Sequence, residues 1–146
     1  MGRLSSFHDI PIGELLPQQP PFRCVDHIEY YGEGETRVSF TPGNGNLLME
    51  DGCLSAAGLM EHMAQASATR VGYYSKYILH VPVSIGYIGQ VRKWTLNRLP
   101  KAGELLETSV YLRQEVFNIS LADIEVRTAA GEVLATASLK TALKED

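Results

Sequence analysis

The stretch Ser55-Ala56-Ala57-Gly58-Leu59-Met60-Glu61-His62-Met63-Ala64-Gln65-Ala66-Ser67-Ala68 constrains this chain more than any other segment. It contains no proline, and small or apolar residues cover nearly its whole circumference. Ser55 is a fitting N-cap, and the pattern predicts a helix that continues through Tyr74. A helix apolar on most faces and built from Ala, Gly and Ser has to be wrapped closely by other elements. The rest of the chain must therefore supply a wrapper.

That wrapper reads as sheet. Pro82–Val91, Lys93–Asn97, Glu104–Gln114, Asn118–Arg127 and Glu132–Thr141 are strand-like and are punctuated by Pro100, Gly103, Asn118 and Ala130-Gly131. Leu106, Thr108, Val110 and Leu112 alternate with Glu107, Ser109, Tyr111 and Arg113, the two-residue period of a sheet buried on one face. Upstream, Phe22–Tyr31 and Thr36–Pro42 flank a glycine-containing connection and predict a hairpin. Pro11–Leu16 predicts a short helix, and PGNGNLLMEDG a loop. The connections are too short for crossovers, so the strands run antiparallel. The expectation is α+β: one long central helix and five to seven antiparallel strands in a single domain over residues 1–146.

Composition narrows the function. A net charge of −4 on 146 residues leaves no global basic field for nucleic acid. Cys24 and Cys53 form no CxxC pair, so no metal site is expected, and they read as free thiols of a reducing compartment. No apolar run approaches a membrane span and the start lacks a signal-peptide pattern, which leads to the expectation of a cytoplasmic protein.

Candidate chemistry gathers on the central helix. Glu61 and Gln65 are four apart and share a face. A carboxylate among Leu59, Met60, Met63 and Ala64 is costly unless paired, and burial would raise its pKa toward the range useful for acid–base work. The bland alternative is an acid that faces solvent or a dimer seam. His62 lies about 100° around the helix from Glu61, so packing or solvent exposure suits it better than a pair with that acid. His8, His27 and His80 have no ligand-spaced partner. The N–H groups at the helix start, around Ala56 and Ala57, offer a positive dipole end to a carbonyl. Cys53 there is either a nucleophile or, more simply, an inert thiol. Arg92, Lys93, Arg98 and Lys101 surround Trp94 without an acid, which suits either an anionic partner or an ordinary solvated strand edge.

Three segments carry a family resemblance. LLPQQPPFRCVDHI resembles the opening LLPHRxPFLLVDRI of the hotdog-fold 3-hydroxyacyl-acyl-carrier-protein dehydratases of the FabZ/FabA type. LMEHMAQASA resembles their central helix IEAMAQAAG, and IGYIGQVRKW followed by LPKAGELLETSVYL resembles their strand and P-x-x-G-D-x-L passage. The likeness spans Ile12 to Leu143. It implies a long helix wrapped by an antiparallel sheet, in a dimer joined edge to edge with acyl tunnels at the interface. It further implies loss of water from a 3-hydroxyacyl thioester carried on the phosphopantetheine of an acyl carrier protein, with no other cofactor.

Carried over by position, Glu61 is the helix acid, Gln65 the glutamine that follows it, and Ala56 or Ala57 the N–H donor to the thioester carbonyl. Arg92, Lys93, Arg98 and Lys101 become the docking patch for the acidic carrier protein. The family's loop histidine falls on Leu47, with no histidine between His27 and His62, and the opening LPHR histidine is replaced by Gln18. MEDGCLSAAGLMEHMAQ is more similar to the divergent dehydratase-like subgroup of aryl-polyene clusters. Three enzymic readings follow: a dehydratase using Glu50, Asp51 or water in place of the histidine; a non-autonomous subunit paired with a histidine-bearing hotdog protein; or a thioesterase in which Glu61 activates water. A non-catalytic acyl-binding module is a fourth.

Overall fold

The central helix forms where the residues place it. In the computed structural model, which describes residues 6–83 and 86–143, α1 runs Ala56–Tyr73. Ser55 caps it: the Ser55 hydroxyl accepts the Gly58 N–H at 3.0 Å, satisfying one orphan donor of the first turn. A π-helical turn, Tyr74–Ile78, extends the far end.

Among the described residues, eight strands accompany the helix. They are β1 (His27–Tyr31), β2 (Glu35–Phe40), β3 (Met49–Glu50), β4 (Cys53–Leu54), β5 (Gly86–Leu96), β6 (Leu106–Val116), β7 (Ile119–Thr128) and β8 (Val133–Leu143). Six of them form one sheet in the order β1-β2-β6-β7-β8-β5, every neighbouring pair antiparallel. The short β3–β4 pair sits apart, just before the helix. Inward residues of the sheet, among them Val110 on β6, Ile124 on β7 and Leu139 on β8, bury against Leu59, Met63 and Ala66 of α1. The six-stranded antiparallel sheet around one long helix is the expected α+β arrangement.

Several boundaries differ from expectation for local reasons. Pro82–Val91 and Lys93–Asn97 are one strand, β5, because Lys93 takes up a left-handed bulge (φ 55°) that shifts the register without ending the pairing with β8. Ser84 and Ile85 lie outside the described residues. Strand β1 begins only at His27, since the backbone of Phe22 and Cys24 is turned toward the helix instead. The Pro11–Leu16 helix is a single 3-10 turn, Ile12–Glu14. The loop PGNGNLLMEDG contains β3 and half of a tight hairpin, whose turn places Asp51 and Gly52 at positive φ.

The helix is wrapped closely enough to need glycine. A Cβ on Gly72 would lie 2.3 Å from the Leu15 carbonyl oxygen, and backbone cannot swing aside as a side-chain tip can. Phe7, Tyr31 and Tyr77 pack around Tyr73 next to this crossing. Among the described residues no helix is long and apolar enough to cross a membrane.

Gly72→Ala therefore sets a helix-propensity gain of up to ~1 kcal/mol against an overpacking cost of roughly 1–3 kcal/mol. Urea denaturation should show a net loss of stability. An unchanged or raised midpoint would mean that the Leu15 segment does not lie against the helix.

Candidate active site

Helical periodicity puts Glu61, Ala64, Ala68 and Val71 along the outer side of α1, away from its sheet-facing residues. Together with Gln65 they line a recess of about 190 Å³, closed by Gln18 on one wall and by Gly86 and Ile88 of β5 and Thr141 of β8 on another. The alanines leave the space that longer side chains would fill. β5 is an edge strand whose residues are exposed along almost its entire length.

Gln65 holds Glu61 in place. The Gln65 Nε2 donates to Glu61 Oε2 at 2.9 Å and to the Phe22 carbonyl at 3.0 Å. Its Oε1 accepts the Cys24 N–H at 2.6 Å. The two backbone partners fix which end of the amide faces the acid, because only the NH₂ group can serve both acceptors. Gln65 is thus a saturated strut, and Glu61, half-buried, keeps one carboxylate oxygen for other partners.

His62 faces into the core. Its Nδ1–H donates to the Cys24 carbonyl at 2.6 Å, its Nε2 accepts the Thr108 hydroxyl at 2.7 Å, and its ring stacks on Phe40. Burial pushes its pKa down from 6.5 to about 4, with the Cys24 carbonyl opposing. Of the two roles expected for this residue, packing is the one observed.

The first turn of α1 is open. Ser55 takes the Gly58 N–H, while the N–H groups of the exposed Ala56 and Ala57 have no acceptor among the described residues. Leu47 is 62% exposed. Glu50 and Asp51 do not line the Glu61 recess; they sit on the β3–β4 turn, which is tied to the Lys101 segment through Cys53 and the Gly52 carbonyl. Cys24 and Cys53 are both free thiols, and burial raises the Cys24 pKa. No cluster of three His, Cys, Asp or Glu among the described residues is placed to hold a metal ion.

The four candidate docking cations separate. Arg98 is clamped between Glu104, at 2.6 Å, and Glu132, at 2.9 Å, and this pairing holds the Glu104 carboxyl down at about 2. Arg92, Lys93 and Lys101 are exposed and form no ion pair among the described residues. Among the recess residues not selected from the sequence as site residues, two are polar, Gln18 and Thr141. Gln18 stands where the opening motif has its histidine, and Thr141 follows the inward alternation of β8, so each had a positional signal.

The fold recurs among known proteins. A family model described as ApeP-like, ApeP dehydratase, matches residues 10–146. Among solved structures, the dehydratase heterocomplex ApeI:P from Xenorhabdus doucetiae superimposes with a TM-score of 0.84 at 20% identity, over 94% of this chain and 93% of that one. A hypothetical thioesterase protein with coenzyme A from Streptococcus pneumoniae TIGR4 gives 0.64 at 15% identity, over 82% and 85% of the two chains. The PaaI protein of the E. coli phenylacetic acid degradation operon gives 0.60 at 17%, over 79% and 80%. A search of curated proteins finds no match. The fold is the hotdog fold.

The His62 environment sets a pH dependence. Below pH 6.5 the unfolded chain binds a proton that the folded chain refuses until about pH 4, so stability falls as pH drops through that window. The loss is about 3 kcal/mol in all. Urea midpoints measured from pH 7 to pH 4.5 should decline in the wild type and flatten in His62→Gln. Equal slopes in the two proteins would rule out a buried neutral imidazole.

Proposed function

The chain belongs to the ApeP-like dehydratase family, and on that footing we propose that it contributes Glu61 to a dehydration site completed by a histidine-bearing hotdog partner. The substrate is a 3-hydroxyacyl thioester on an acyl carrier protein. One observation carries this reading: Glu61 is held ready by Gln65, yet no other acidic, basic or imidazole side chain lines its recess among the described residues.

Dehydration needs a base to take the C2 proton and an acid to protonate the departing 3-hydroxyl, which leaves as water. Glu61 protonates the hydroxyl; the partner's histidine takes the C2 proton. The N–H groups of Ala56 and Ala57 polarise the thioester carbonyl and make that proton more acidic. Leu47 performs no proton transfer, so the partner's own acid would face an incomplete site. The exposed edge of β5 beside the recess suits a shared site, because another chain can pair there and close it. The similar ApeI:P assembly is a dehydratase heterocomplex, which supports the same arrangement. The phosphopantetheine arrives with the substrate, and Arg92, Lys93 and Lys101 receive the acidic carrier. Arg98, already bound by two carboxylates, organises the Arg98–Glu132 crossing instead.

The test follows enoyl-thioester absorbance with trans-2-enoyl-acyl-carrier protein, for the chain alone and co-purified with a histidine-bearing hotdog dehydratase. The complex should turn over, the chain alone should be slower by ~10²–10⁴, and Glu61→Gln should impose a similar loss on the complex. Full activity of a homodimer would overturn the shared site. Thiol release in place of hydration would turn the assignment toward a thioesterase.

Carrier binding separates the cations. Replacing Arg92, Lys93 and Lys101 by Gln should weaken binding and flatten its salt dependence, whereas Arg98→Gln should leave the salt slope intact. A slope changed only by Arg98→Gln would reverse the assignment.

A further inference from the structure

Two residues that line the Glu61 recess each carry a buried polar atom with no hydrogen-bond partner among the described residues. Gln18 Oε1 and Thr141 Oγ1 are both buried without a hydrogen bond among the described residues, and both residues line the recess. Thr141 is only 4% exposed. They come from different walls. Gln18 belongs to the segment that crosses α1 after Leu15, while Thr141 lies on β8 between Ser120 of β7 and Ile88 of β5.

Buried polar atoms are satisfied in the great majority of cases, and one left unmade is a standing cost. Ala64, Ala68, Val71 and Ile88 would suit a plain hydrocarbon chain, but Gln18 and Thr141 would not. The Gln18 oxygen accepts only, so it needs a donor, and neither a methylene nor a thioester carbonyl has one to give. A hydroxyl donates and accepts, as the Thr141 hydroxyl also does. The Thr141 methyl is turned toward β5, where a Cβ on Gly86 would lie 3.1 Å from Thr141 Cγ2.

Resting on the reading of this recess as an acyl-thioester site, we infer that Gln18 and Thr141 form a subsite that recognises a hydroxyl group on the bound acyl chain. They are specificity-determining residues. They distinguish a hydroxyacyl group from its saturated counterpart, while Glu61 carries the proton transfer.

The test uses stable amide analogues of 3-hydroxyoctanoyl-pantetheine and octanoyl-pantetheine, with nitrogen in place of sulfur. Both are titrated by calorimetry into the full chain and into its complex with the hotdog partner. The wild type should prefer the hydroxylated analogue by about 10-fold. Gln18→Leu and Thr141→Val should reduce that preference to within about twofold without weakening the octanoyl analogue, and Thr141→Ser should retain it. Circular dichroism establishes that each variant is folded. A wild type without preference, or a preference that survives both Gln18→Leu and Thr141→Val, overturns the subsite and leaves the two atoms to ordered water. If neither analogue binds to the chain or the complex, the acyl-thioester reading itself fails, and the subsite with it.

Discussion

The side-chain amide of Gln65 ties together parts of the chain that are far apart in sequence. By accepting from the Cys24 N–H and donating to the Phe22 carbonyl, it moors the segment before β1 against the middle of α1. His62, one turn earlier, reaches the Cys24 carbonyl on one side and Thr108 of β6 on the other. Two buried polar residues thus fix how the helix is rotated within its wrapper, where apolar contacts alone would tolerate sliding. The orientation of Glu61 is a consequence, because the remaining Gln65 hydrogen can point only one way.

The same rotation divides the helix between two uses. Leu59, Met63 and Ala66 go to the core. Glu61, Ala64, Ala68 and Val71 line a recess at the side where the sheet ends. Six strands cover only part of the helix circumference, and the last of them, β5, exposes Tyr87, Ile88, Val91 and Leu96. An edge strand with exposed apolar residues beside a well-oriented carboxylate offers another chain a place to pair. A second hotdog sheet set against that edge would lengthen the wrapper and close the recess at once.

Charges on the sheet follow the register more than the chain order. Arg113 meets Asp123 across β6 and β7, and Arg127 meets Glu125 along β7. Arg98 is caught between Glu104 and Glu132, residues that lie on either side of the β6–β7 hairpin in sequence. The stretch RKWTLNRLPK reads as four free cations because its counter-ions lie beyond it along the chain. Antiparallel pairing returns one of them to a carboxylate clamp and leaves Arg92, Lys93 and Lys101 in solvent.

How much was legible follows from range. The helix and its Ser55 cap, the antiparallel sheet and the shared face of Glu61 and Gln65 are local patterns with periods of 3.6 or 2, and the residues alone determined them. The absence of histidine between His27 and His62 was equally plain, since it is a property of the sequence. What the tertiary structure decided is everything that depends on distant segments meeting. It made His62 a core residue, because Cys24 and Thr108 converge on its two nitrogens. It joined two expected strands into β5 through the bulge at Lys93 and neutralised Arg98. It also brought Gln18 and Thr141, separated by most of the chain, to the walls of one recess. Local periodicity sets which way a side chain points from its own element, but only the packing of elements determines what it will meet.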